Sequence, residues 1–297
     1  TSAMLLLIRL RGPLMGLMRV IDTVQSGYAS LSRIVGVVVD PPRAVPDYGA
    51  PAPYGEAEMR NVSFSYGNGG WAVRDISLNI PAGHTVALVG ASGAGKTTVA
   101  ALLAGLRVPE EGKVLVDGVE VALLSDAERV ARLAMISQEV HVFSGTLRED
   151  LSLAAPQASD AQMLQALDRV GARWFAQLDE GLDTVIGSQG VQLDPVASQQ
   201  LALARILLLD PKIVIMDEAT AEAGSVGAEA LEKAAIEVTR GRSALVVAHR
   251  LDQAARADRI IVMDNGRVVE QGSHHDLLDY GGRYKHLWDA WQKGRQG

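Results

Sequence analysis

The chain has 297 residues, 48% of them apolar and 21% charged, an ordinary globular composition with material for one large domain or two modest ones. Acidic residues number 35 against 28 Lys and Arg, a net charge of −7 that argues against a broad basic surface for nucleic acid, a local patch aside. There is no cysteine, so disulfides, thiolate zinc sites and cysteine nucleophiles are excluded.

The first apolar run, Ala3 to Ile8, is far shorter than the about 20 residues a spanning helix needs, and Arg9, Arg11, Gly12 and Pro13 follow it. Up to Val39 the charges are Arg9, Arg11, Arg19 and Arg33 against Asp22 alone. Arginine excess beside a membrane helix is a cytoplasmic pattern. The opening therefore reads as the cytoplasmic end of a membrane helix, or as an amphipathic helix docked on a soluble partner. Leu17, Val20, Ile21, Val24, Tyr28, Leu31, Ile34, Val35 and Val38 recur at helical spacing as one apolar stripe. Asp40-Pro41-Pro42 stops that helix, and Pro41, Pro42, Pro46, Pro51 and Pro53 mark residues 41–55 as a linker. A second unit runs from residue 56 to the end.

Within that unit, Thr85 to Val89 is a short apolar run suited to a buried strand. Gly90-Ala91-Ser92-Gly93-Ala94-Gly95-Lys96-Thr97-Thr98 follows, and then a good helix former, Val99 to Ala104. Strand, glycine loop and helix in that order predict a phosphate cradle. Glycines let the loop close round a β-phosphate with its N–H groups inward, and the helix presents its positive end. Lys96 then reaches the β- and γ-phosphates, and the Thr97 hydroxyl binds Mg²⁺. Lys212 to Met216 is a second buried strand, ending in Asp217 and Glu218. Asp217 suits the shell of Mg²⁺, and Glu218 suits orienting and polarising an attacking water. Together the two segments indicate an NTPase.

With Tyr66, Gln138, Asp217 to Thr220 and Ala248-His249-Arg250 added to the phosphate loop, residues 56–297 resemble the nucleotide-binding domain of an ABC transporter. Ile136 to Gln138, Val142 to Leu147 and Val269 to His274 resemble the version found in exporter-type half-transporters. The resemblance implies an α/β fold: a P-loop NTPase core with a parallel sheet, an antiparallel β portion near 56–85 and a helical subdomain within 125–195. Helix-like stretches fall there at Asp126 to Leu133 and Asp160 to Arg169. It implies that residues 1–40 extend the last transmembrane helix of an upstream membrane domain, at the cytoplasmic face of a cell membrane, a bacterial inner membrane. The ligands implied are ATP and Mg²⁺. Tyr66 stacks on adenine, Gln138 contacts Mg²⁺ or the lytic water, and His249 bonds the γ-phosphate and stabilises developing charge. His84 is expected on a surface strand and His274-His275 at a helix start, while His141 faces the membrane domain.

In this family ATP lies between two domains, one lending the phosphate loop and the other a signature, normally L-S-G-G-Q. Aligned on Gln199 to Arg205, that position here reads Leu193-Asp194-Pro195-Val196-Ala197. Asp194 sets a carboxylate against a polyanion, a repulsion of about 4 kcal/mol at 4 Å and an effective dielectric of 20. Pro195 removes an N–H, and Pro195 and Val196 add bulk where glycine permits close approach. Gly224 stands where the family has Asp, and residues 187–190, Gly-Ser-Gln-Gly, lack the exporters' charged pair. These departures affect what the chain offers a partner, while its own gripping residues are intact. The expectation is a heterodimer with a different half-transporter carrying an intact signature. Competing expectations are an importer on the exporter architecture, as in siderophore uptake, a soluble ABC ATPase of DNA repair or translation, and a regulatory subunit that only binds nucleotide.

Overall fold

A computed structural model describes residues 55–67, 69–137, 140–217, 225–248 and 250–296. The expectations for residues 1–40 and for all of the linker but its last residue lie outside these.

The described residues open on an antiparallel pair, β1 (Ala57–Ser65) and β2 (Trp71–Ile80), which runs from Ala57↔Ile80 to Ser65↔Trp71 with register shifts after Met59, Val62 and Phe64. Ala57, Met59 and Val62 face the core, and the shift in alternation after Met59 falls at Asn61, which has φ 49°. Asn tolerates that left-handed conformation better than most residues. Next come β3 (Thr85–Gly90), helix α1 (Lys96–Leu103), and a hairpin of β4 (Glu111–Val116) and β5 (Val119–Glu120). The hairpin turn is Asp117-Gly118, with φ 51° and 79°, the Asp-Gly pair that favours such turns. The antiparallel sheet is therefore ordered β2-β1-β4-β5 and reaches beyond the expected 56–85, because this hairpin adds to β1.

Helix α2 (Asp126–Arg132) starts on a Ser125–Glu128 capping box and ends one residue before the expected Leu133, which opens β6 (Leu133–Ile136). A helical region follows: α3 (Leu147–Ser152), α4 (Asp160–Arg169) and α5 (Pro195–Leu209), with the small antiparallel pair β7 (Gly145–Thr146) and β8 (Val185–Ile186). Helix α4 has the expected bounds, set at its start by Ser159 and Gln162 capping each other's backbone.

The remaining elements return to the core: β9 (Ile213–Asp217), α6 (Ser225–Thr239), β10 (Ser243–Val247), α7 (Leu251–Ala254), β11 (Arg259–Asp264), β12 (Arg267–Gly272), α8 (His274–Tyr280) and α9 (Arg283–Gln296). The larger sheet is ordered β12-β11-β3-β10-β9-β6, parallel throughout except for β12. Its central strands are apolar on both faces, as a covered parallel sheet requires. Ile213 and Ile215 pack with Met59, Ile76, Leu102 and Leu245 under the antiparallel sheet, whereas Val214 and Met216 pack with Leu167, Leu201 and Val238 of the helices. Leu88 joins the first set, while Ala87 and Val89 join a third with Ile260, Leu277 and Tyr284. This two-sided burial holds the C-terminal ends of β3, β9 and β10 side by side, with Val247 paired to both Leu88 and Asp217.

Among the described residues no helix is long and apolar enough to cross a membrane. His84 is a correction: it precedes β3 and closes a turn on Pro81 rather than lying in a strand. His274 and His275 open α8 behind a Ser273–Asp276 capping box.

Candidate functional site: a phosphate cradle between two sheets

At the end of β3 the chain turns through Gly90 (φ 153°), Gly93 (φ 78°) and Gly95 (φ 96°) into α1. Two of these glycines are required by space as well as by φ. A Cβ on Gly90 would stand 2.3 Å from the Met263 carbonyl oxygen, and one on Gly95 2.8 Å from Val73 Cγ1. The loop closes on the buried Lys96, whose Nζ donates to Gly90 O at 2.9 Å and Ala91 O at 3.0 Å. Gly95 caps α1 without a side-chain hydrogen bond, and the first turn holds no acidic residue. Unlike a helix start capped by a carboxylate, this end keeps its partial positive charge turned to the loop.

Thr97 is exposed, and its hydroxyl donates to Asp217 Oδ1 at 3.4 Å. Asp217 is only 5% exposed, at the last position of β9. A hydroxyl and a carboxylate oxygen at this spacing, beside a phosphate cradle, are a hard-oxygen pair that suits Mg²⁺. The phenol of Tyr66, 61% exposed, shares a hydrogen bond of 3.2 Å with Thr98 Oγ1. The cradle and Tyr66 bound one cleft of about 380 Å³, with Ala72 on one wall and Ala248 on another. Ser92 and Gly93 line it, and Ala91 and Ala94 complete the loop, with Ala94 N donating back to Ala91 O.

Of the expected site residues, the structure thus gathers Tyr66, Gly90 to Thr98 and Asp217. Gln138, Glu218 and His249 lie outside the described residues. The chain reaches Glu218 directly from Asp217 and His249 directly from Ala248, two residues of the site.

Leu193 to Ala197 stand apart from that cleft, at the start of α5. Asp194 is the helix N-cap: its Oδ1 accepts from Ala197 N at 2.7 Å, and its carbonyl accepts from Ser198 N at 2.9 Å. Pro195 occupies the first helical position, where a missing N–H leaves no internal bond unmade. Asp194 and Pro195 are the residues that start α5 well, and both are exposed.

Two residues bearing on the site carry no motif. Asp150, nearly fully buried, accepts from Arg205 Nε at 2.7 Å, from Arg205 Nη2 and from Phe143 N at 3.0 Å. Arg205 Nη1 also donates to His141 O at 3.0 Å. This pair pins residues 141–143, just after Gln138, onto the helical region.

Residues 73–221 match the family described as ABC transporter. ATP-dependent lipid A-core flippases from Escherichia coli (strain K12) and Shigella flexneri are each 39% identical to the chain over 236 residues, covering 78% of it and 40% of their own length. A solved structure described as a bacterial Atm1-family ABC exporter with ATP bound superposes with a TM-score of 0.77 at 31% identity, covering 90% of this chain and 48% of that one. The chain spans less than half the length of these relatives.

Proposed function

The chain belongs to the ABC transporter family and carries its ATPase domain, and from that premise we propose that it binds and hydrolyses ATP to drive export through an upstream membrane domain. The observation that carries the reading is the cradle itself: a buried Lys96 inside a glycine loop, an α1 start without a side-chain cap, and Thr97 facing Asp217 at 3.4 Å.

In this reading Tyr66 stacks on the adenine and the Gly90–Thr98 N–H groups hold the phosphates. Lys96 gives up its bonds to Gly90 O and Ala91 O for the β- and γ-phosphates. Thr97, Asp217 and Gln138 hold Mg²⁺, which when bound offsets phosphate charge. Glu218 accepts a hydrogen bond from the attacking water and turns its oxygen toward the γ-phosphorus, and His249 donates to the γ-phosphate as charge builds. Residues 1–40 continue the last membrane helix, 41–55 link it, and 56–297 form the ATPase at the cytoplasmic face of a bacterial inner membrane. The cited relatives are named as a flippase and an exporter, which supports export as the direction.

The partner is a different half-transporter with an intact signature. An ATP sandwich asks the signature helix to receive the partner's γ-phosphate at its N-terminus. In this chain Asp194 already places a carboxylate there and accepts the Ala197 N–H. The chain thus supplies a competent cradle and a poor opposite face. The site made from its own cradle and the partner's signature turns over, and the reciprocal site holds ATP with little turnover.

The test is MgATP binding and turnover by the chain mixed with a half-transporter that has L-S-G-G-Q. Lys96→Ala should weaken binding, and Glu218→Gln should keep binding while losing turnover by about 10²- to 10⁴-fold, the usual contribution of a positioned base. Unchanged turnover in Glu218→Gln would remove Glu218 from its role.

A further inference from the structure

Arg107 lies in the loop that follows α1 and belongs to none of the motifs above. Its guanidinium carbon stands 5.8 Å from the centroid of the Tyr66 ring, within cation–π range. Arg107 is not among the residues that line the cleft, although Tyr66 is. Arg107 instead lines a separate hollow with Val121 and Arg129.

The loop bearing Arg107 is fastened to the end of β1, one residue before Tyr66. Glu110 N donates to Ser63 O at 3.0 Å, while Glu110 Oε1 accepts from Ser65 N at 3.1 Å and Ser65 Oγ at 2.9 Å. Phe64 meets the Tyr66 ring at 88°, with centroids 5.0 Å apart, and Thr98 holds the hydroxyl. An aromatic side chain this exposed would otherwise sample several rotamers. Here Thr98 meets the hydroxyl, Phe64 meets the ring edge-to-face, and the Arg107 cation lies within reach of the ring.

We propose that Arg107 is a positioning residue for the nucleobase, acting through Tyr66. Resting on the reading of the cleft as an ATP site, it completes a three-layer stack of guanidinium, phenol and purine. The cation holds the ring in its stacking rotamer, and by drawing π-density toward itself it makes the opposite face a better partner for an electron-rich purine. The ligand class this favours is a nucleotide with a flat heteroaromatic base, as opposed to a bare polyphosphate.

The experiment measures dissociation constants of MgATP and of magnesium tripolyphosphate for the full chain and for Arg107→Ala, Arg107→Lys, Tyr66→Ala and the double variant Arg107→Ala/Tyr66→Ala. Arg107→Ala should weaken MgATP about three-fold, as loss of an exposed cation–π contact does, and leave tripolyphosphate unchanged. Arg107→Lys should restore most of the loss, and the double variant should bind MgATP no more weakly than Tyr66→Ala alone. Equal weakening of tripolyphosphate would mean that Arg107 acts on phosphate and would overturn the proposal, as would full additivity of the two single variants. Either result leaves the ATP site standing. Failure of the unaltered chain to bind MgATP would instead remove the site and the proposal together.

Discussion

Asp194 Oδ1 accepts the backbone N–H of Ala197 at 2.7 Å, so the helix start that would face a partner's nucleotide is closed by the chain's own carboxylate. The start of α1, capped by Gly95 with no side-chain bond, is the opposite case within the same fold. One helix end is built for an anion and the other already has one.

Local stability separates the two roles of Asp194. Asp194→Ala should cost about 1 kcal/mol in urea unfolding, the usual loss of an N-cap, while Asp194→Ser should unfold within a few tenths of a kcal/mol of the unaltered chain, since Ser caps as well. A neutral Asp194→Ala would mean that the bond to Ala197 N contributes nothing.

The cradle makes a metal-specific prediction. Lys96→Ala removes a charged hydrogen-bonding group from the phosphates and should weaken MgATP by about 10- to 100-fold. Thr97→Val and Asp217→Asn should bind metal-free ATP like the unaltered chain but gain nothing when Mg²⁺ is added. Titrations of ATP with and without the ion check this. Thr97→Val or Asp217→Asn retaining the full Mg²⁺ advantage would dismiss the pair as ligands.

Asp150 and Arg205 form a charged pair with side chains 1% and 16% exposed. Removing one member strands the other, so Asp150→Ala should destabilise the chain by about 3–5 kcal/mol in urea unfolding. His141 and Phe143 hang on the same pair, so the amides of residues 141–143 should lose hydrogen-exchange protection in that variant. Unchanged protection there would mean that the pair does not hold this segment.

His274 packs among Tyr284 and Trp288, and its Nδ1 lies 2.8 Å from the Tyr284 hydroxyl. Burial, and then the neighbouring His275, hold its pKa below the ordinary value of 6.5. The unfolded chain therefore binds more protons than the folded one once pH falls below about 6.5. The contribution of neutral His274 is fully present above that value and is lost as pH drops through the lower, folded pKa. Urea midpoints between pH 8 and pH 5 should fall on the acid side, and His274→Phe should flatten that slope. An identical slope in His274→Phe would assign the acid loss to other groups.

Legibility in the sequence followed the range of the forces involved. The Gly90–Thr98 loop was readable because strand, glycines, lysine and helix are consecutive, and α4 because Ser159 and Gln162 announce its start locally. The Asp117-Gly118 turn is an equally local signal, and the β4–β5 hairpin it closes widens the antiparallel sheet beyond residues 56–85. Asp194 and Pro195 depart from the L-S-G-G-Q pattern at positions that bear on a partner's nucleotide. The same two residues are also a good helix start, a local signal pointing the other way. Asp150–Arg205 and Arg107–Tyr66 join residues far apart in the chain, and only the folded packing brings them together.

If the cradle is competent and the signature face unsuitable, ATP turnover by the chain alone will report both. The unaltered chain should hydrolyse ATP at a basal rate with no ATP-dependent self-association. The four-residue variant Asp194→Ser, Pro195→Gly, Val196→Gly, Ala197→Gln should dimerise on ATP and turn over at least about ten-fold faster, a change of about 1.4 kcal/mol in transition-state stabilisation. Rapid turnover by a symmetric dimer of the unaltered chain would show instead that its own signature face is serviceable.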